Sequence, residues 1–427
     1  SIRTGSSGSE VGITDGTEVG TYLVKDINPG TGNSYPTLSE ARKSAMLNSN
    51  FFFVARNDTY GEELWKSDGT EAGTVMVKDI WPGTPFSRPN YLTEFGSLIL
   101  FTAADGTNST ELWKTDGTEA GTVLVKDINP AGSADINNIG VMGANAYFGA
   151  NDGTNGKELW KSDGTNAGTV LLKEIFAGSS GSNVASITVA GNRFFFVAND
   201  GVNGAELWVS DGTAAGTVLV LDIWPGANSS SISDMVAIGS DIYFAANNGL
   251  SGTELWKSDG TAAGTVMVKE INAGANNSNA SKLIALGNTV LFRADDGVNG
   301  TELWKTDGTS AGTVMVKDIN PGANGSFMIH PVLFGAHVYF RANDLATGEE
   351  LWRSDGTAAG TVMVKDINPG AGDNSMWIIT LLGNKGIVFG AKDGTNGWEP
   401  WFSDGTEAGT YMIKDCNPGA GDGWWED

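Results

Sequence analysis

The chain is poor in the residues from which most catalytic and metal centres are built. Among 427 residues there is one cysteine, Cys416, and there are two histidines, His330 and His337. A lone cysteine excludes a disulfide within the chain and a zinc site built on thiolates. Two imidazoles with no third and no thiolate partner do not make a structural zinc centre either. Basic residues are scarce as well: 26 Lys and Arg stand against 50 Asp and Glu, a net charge of −24. Phosphate binding needs a basic surface, so nucleic acid and anionic membranes are not expected partners. No apolar run approaches the ~18 residues of a membrane span, so membrane insertion is not expected. Helical periodicity is missing too, and the 60 glycines would be costly inside helices.

What the chain has in abundance is repetition. "ELWKSDGT" stands at 63–70, 158–165 and 254–261, with near-copies at 111–118, 206–213, 302–309 and 350–357 and a worn copy, "EPWFSDGT", at 399–406. The motif aspartates Asp68, Asp116, Asp163, Asp211, Asp259, Asp307, Asp355 and Asp404 follow at intervals of 48, 47, 48, 48, 48, 48 and 49. A further copy surrounds Asp15, where Gly12 replaces the Trp. A period of this length over the whole chain marks a solenoid, array or propeller. No composition shift interrupts it, so residues 1–427 read as one repeat domain.

Within one unit, 183–226, four short runs rich in Val, Ile, Phe and Leu alternate with Gly, Asn and Asp clusters, the chemistry of strands and turns. Strands a, b, c and d are expected at 185–190, 193–198, 206–210 and 217–223. Repeated four-stranded antiparallel units fit an all-β fold, the β-propeller, in which ring closure removes exposed edges. Strand b occurs eight times, so eight blades are expected, with nine as the alternative. Residues 1–30 supply an additional c–d pair, which either closes the ring or belongs to a ninth blade. In the c–d hairpin Trp65 is expected opposite Met76, Leu64 opposite Val77, and Glu63 paired with Lys78 across the strands. By the same reasoning Leu221, replacing that Lys, leaves Glu206 without its cation.

These motifs resemble those of the ELWxxDGTxxGT-repeat proteins, a hyalin-like family of bacterial secreted and surface proteins. The resemblance covers nearly the whole chain and departs at Gly12, Pro400 and Leu221. It implies propeller modules of secreted or cell-surface proteins and no single activity.

Strand polarity gathers the b–c and d–a loops on one face, here the top, and the "SDGTxxGT" turns on the bottom. Two features of the top face carry functional expectations. Carboxylates and amides converge there, with Asp200, Asn203, Glu206 and Asp222 in one unit and Asp296, Asn299, Glu302 and Asp318 in another. Calcium, which takes six to eight oxygens, is the cofactor this pattern suggests, against Asx-turn capping as the plainer reading. After strand d most units place Asn, but three place Trp81, Phe176 and Trp224. Aromatic platforms beside polar loops suit stacking on sugars or anchoring a protein. Trp377, Trp398, Trp424 and Trp425 also fall outside the repeated positions. No catalytic residues are assigned. The expected function is non-catalytic, lectin-like or adhesive recognition of carbohydrate or an extracellular protein on the top face. The alternative is a purely structural module of a surface assembly.

Overall fold

Eight of the repeats fold as foreseen, into four antiparallel strands. The computed structural model describes residues 2–3, 8–37, 42–370, 372, 374, 376–419 and 421–423, and among them no helix occurs. Eight four-stranded sheets form a β-propeller. Their spans are 44–78, 90–126, 137–173, 185–221, 233–269, 281–317, 329–365 and 377–412, numbered blades 1 to 8. In blade 4 the strands are Ala185–Ala190, Arg193–Asn199, Ala205–Ser210 and Val218–Leu221. Strand d stops short of 223 because the Ile223 N–H is taken by Glu206 Oε2 at 3.0 Å. Strands a of successive blades touch from blade 1 through blade 8 and form the innermost ring.

The core lies between blades. Phe52, Leu64 and Val77 of blade 1 meet Ile99, Phe101 and Trp113 of blade 2, and the same packing recurs around the ring. Each repeat thus buries its apolar face only against a neighbour.

The repeated octapeptide is consumed by this architecture. Ser67 Oγ lies 2.6 Å from Thr74 Oγ1 and accepts the Gly69 N–H at 3.0 Å. Asp68 Oδ1 accepts the Thr70 N–H at 2.9 Å and its hydroxyl at 2.7 Å, an Asx turn. At Gly73 a Cβ would collide with the Asp68 carboxylate, so only glycine fits. Lys66 Nζ crosses to the next blade and donates to Gly117 O at 2.7 Å.

Trp65 does lie opposite Met76, but the pairing of Glu63 with Lys78 does not form. A bulge between Leu64 and Trp65 places Lys78 opposite Leu64. An unpaired residue on one strand redirects the side chains beyond it. Lys78 Nζ instead donates to Thr122 O of blade 2 at 2.9 Å. Glu63 turns inward, fully buried, and accepts from Ile80 N at 3.0 Å, Trp81 N at 3.4 Å and Ser87 Oγ at 2.6 Å. Leu221 therefore deprives Glu206 of nothing; it removes an amine that would have joined blade 4 to blade 5.

Residues 1–30 supply a three-stranded sheet, Ile2–Arg3, Ser9–Ile13 and Tyr22–Lys25. Its first strand occupies position b with two residues, and Ile2 fills the space that a side chain at Gly12 would need. The sheet sits between blade 8 and blade 1. Lys414 Nζ donates to Thr21 O at 3.0 Å and Tyr411 Oη to Gly16 O at 2.9 Å. On the other side Lys25 Nζ donates to Thr74 O at 2.7 Å, and Val11, Val24 and Ile27 pack on Phe53 and Trp65. The segment is an incomplete ninth sheet, and it closes the ring.

Candidate functional site on the top face

The b–c loops are held by their own aspartates. Asp200 Oδ1 accepts the N–H groups of Val202 and Asn203 at 2.9 and 2.8 Å, and Asn203 Nδ2 donates to Asp200 Oδ2 at 2.7 Å. Asp296 and Asn299 repeat the arrangement at 2.8 Å. These bonds hold both aspartate carboxyls below the ordinary range in spite of partial burial, which pushes the other way.

The strand-c glutamates stand apart from those loops, buried beneath the d–a turns. Glu302 accepts from Ile319 N, Asn320 N, Ser326 N and Ser326 Oγ at 2.8, 3.3, 3.0 and 2.8 Å. Glu206 accepts from Ile223 N and Ser230 N at 3.0 and 2.9 Å. Burial pushes both up to about 7, and their donors pull the other way. Asp222 Oδ2 accepts the Gly226 N–H at 3.0 Å, while Oδ1 of Asp222 and of Asp318 is buried without a hydrogen-bond partner. Each proposed calcium set thus divides into a loop-capping Asp–Asn pair, a buried Glu and a strand-end Asp. Among the described residues no group of three or more His, Cys, Asp and Glu side chains is arranged to hold a metal.

The three aromatics all take one position. Trp81, Phe176 and Trp224 are half-buried and lie against Gly106, Gly201 and Gly249 in the b–c loop of the following blade. Where the unit has Asn instead, Asn129, Asn272 and Asn368 lie against Gly153, Gly297 and Gly394. Trp81 opens onto a sizeable recess. It lines an outer cleft of about 620 Å³ with Phe86, Arg88 and the polar loop Thr107, Asn108, Ser109 and Thr110. An inner cleft of about 470 Å³, nearer the axis, is lined by Arg88, Asn90, Tyr91, Asp135, Asn137 and Lys157. The two share Arg88, Thr110 and Ser133.

Several of these residues were not singled out from the sequence. Phe86 and Arg88 differ from the sister loops, which carry Ser133 and Asp135, or Asn277 and Asn279, at the same places. That departure from the repeat was the available signal. Arg56 lies over the Phe86 ring at 5.3 Å and Arg42 over Tyr91 at 5.5 Å. Lys157, whose half-buried position lowers its pKa, donates to the Asn137 amide oxygen at 2.9 Å when that amide also donates to Val184 O. A second aromatic group lies on blade 8, where Trp377 and Trp398 are 5.5 Å apart and Lys392 lies over Trp398. Trp424 and Trp425 lie outside the described residues.

His330 lies in strand a and His337 at the start of strand b of blade 7. Cys416 lies beyond the last strand, Thr410–Met412, at the place Ile80 holds in blade 1. Its N–H donates to Glu399 Oε2 at 2.8 Å, and burial pushes its thiol up to about 11. The run "GTSAG" at 308–312 matches the serine-hydrolase pattern in letters, but it is the c–d turn of blade 6 between Thr301–Thr306 and Val314–Lys317.

No protein-family model matches the chain, and no curated protein matches it significantly. Among solved structures, the computationally designed Ika8 protein is similar at 16% identity and a TM-score of 0.48, covering 86% of this chain and 96% of its own. A puromycin hydrolase shows 12% identity and a TM-score of 0.42, over 83% of this chain and 58% of its own. An acylaminoacyl peptidase from Pyrococcus horikoshii shows 10% identity and a TM-score of 0.41, over 90% and 53%. The chain spans little more than half the length of these two peptidases, and at such similarity no activity carries over from them.

Proposed function

We propose that the protein is a non-catalytic recognition module, acting outside the cell, that binds carbohydrate on its top face. The outer cleft supports this reading above all. It sets the ring of Trp81 beside hydroxyl and amide side chains, the pairing of apolar face and polar rim that sugar rings need. Sister blades close the same loop with Asn, so the scaffold does not require an aromatic there. The strongly acidic composition and the resemblance to secreted repeat proteins support the extracellular setting. Replacing Trp81, Phe176 and Trp224 with Asn copies what other blades already carry. The expected result on a glycan array is lost binding with a melting curve little changed, since a central aromatic commonly contributes a few kcal/mol to an interface. Binding that persists while melting falls would make these rings loop core. If no glycan binds and a pull-down captures a partner protein instead, the carbohydrate reading fails.

A further inference from the structure

The two clefts meet at an arginine that the scaffold does not use. Most amines in this chain are committed to the ring: Lys66, Lys78, Lys114, Lys257, Lys269, Lys305, Lys317, Lys365 and Lys414 each donate to a backbone carbonyl across a blade boundary. Arg88 is exposed and has no hydrogen-bond or ion-pair partner among the described residues. It holds a left-handed backbone, φ 49°, at a position where sister blades carry Asp135, Asn183, Ser231, Asn279 and Phe327 in the same conformation, and none of them a cation. Lys157 stands on the far wall of the inner cleft, with exposed Asp135 as its nearby acid. Arg56 and Arg42 lie over the neighbouring rings of Phe86 and Tyr91. On a molecule of net charge −24, Arg88 is an uncommitted guanidinium between two recesses, whereas nearby Arg56 is paired with Asp58 at 3.3 Å.

We infer that the saccharide bound here is an acidic one, with a sugar ring stacked at Trp81 and Phe86 and its carboxylate or sulfate held at Arg88, on the Lys157 side. The inference rests on carbohydrate recognition at this face. A guanidinium presents paired N–H donors matched to a two-oxygen anion, and a planar ring satisfies the apolar face of the same sugar. Uronate and sulfate share this chemistry and differ in source.

Matched pairs on one array decide the matter: uronate oligosaccharides with their methyl esters, and sulfated oligosaccharides with their desulfated forms. Wild type, Arg88→Gln and Trp81→Asn are compared, with folding checked by melting. Acidic members should bind about tenfold or more tighter than their neutral partners, and more weakly as salt rises. Arg88→Gln should reduce them to the neutral level, and Trp81→Asn should weaken both. The uronate and sulfate arms identify which anion is preferred. Equal binding of neutral and acidic members, unchanged in Arg88→Gln, overturns the acidic preference and leaves carbohydrate recognition standing. No binding by any member overturns both.

Discussion

Nine glutamates, from Glu10 and Glu63 to Glu399, are fully buried at equivalent positions, and the number of donors around them differs. Glu302 has four, whereas Glu111 has the Ile128 N–H at 2.7 Å and an Oε1 with no partner. Part of the difference is one residue: Ser87 and Ser326 supply a hydroxyl that Ala134 lacks. Burial pushes Glu10, Glu63, Glu111, Glu206, Glu302 and Glu399 up to about 7 and Glu350 to about 8. A carboxyl with a folded pKa above its unfolded value binds more protons folded than unfolded between the two. Its stabilisation is fully present below about 4.5 and is lost as pH rises through about 7. The turn aspartates, such as Asp68, are shifted downward by their threonine hydrogen bonds and act oppositely, only in more acid solution. Melting temperature should therefore peak near pH 5 and fall toward pH 8; a rise over that interval would refute the assignment. Ala134→Ser should raise stability by about 1 kcal/mol, with a shallower decline at high pH.

At the scale of the strand pair, lysines of strands c and d fasten most blades to the next, and blade 4 has neither. Val209 and Leu221 occupy their places. Substituting Lys at both should restore donors toward Gly260 and Thr265 and raise stability by about 1–3 kcal/mol, read by denaturant melts; no gain would mean the lysines only fill space. Calcium has one foothold in the buried, unpartnered oxygens of Asp79, Asp222, Asp318, Asp366 and Asp415. If those corners take the cation, chelator should lower the melting temperature and millimolar calcium restore it by mass action; coincident curves would dismiss it. Period, strand count and the c–d hairpin were legible because turn chemistry and alternation are local. The fate of Glu63 and Lys78 was not, since a continuous ladder was assumed and the bulge beside Trp65 exchanges their directions. Trp81 was legible as an exception to the repeat. Arg88 offered only its departure from the sister loops, and Lys157 no signal at all, because only the assembled ring sets both on one cleft.

For the molecule as a whole, residues about 390 apart in sequence meet where Lys414 reaches Thr21. Deleting residues 1–30 should therefore uncover two sheet faces and abolish cooperative melting or solubility, since unprotected edges invite association. A truncated protein that melts like the full chain would show that the sheet is ornament. The ring holds eight blades and this short sheet, and the joint between blades 4 and 5 lies across the diameter from it. One end of that diameter has a thin inner wall, and the other lacks both amine ties. A hoop with its two weakest joints facing each other does not breathe evenly; it flexes about the line that joins them. Amide exchange should then be fastest in strand d of blade 4 and in the first sheet together. The clefts near Arg88 lie away from that line, so they should keep their shape while the ring bends.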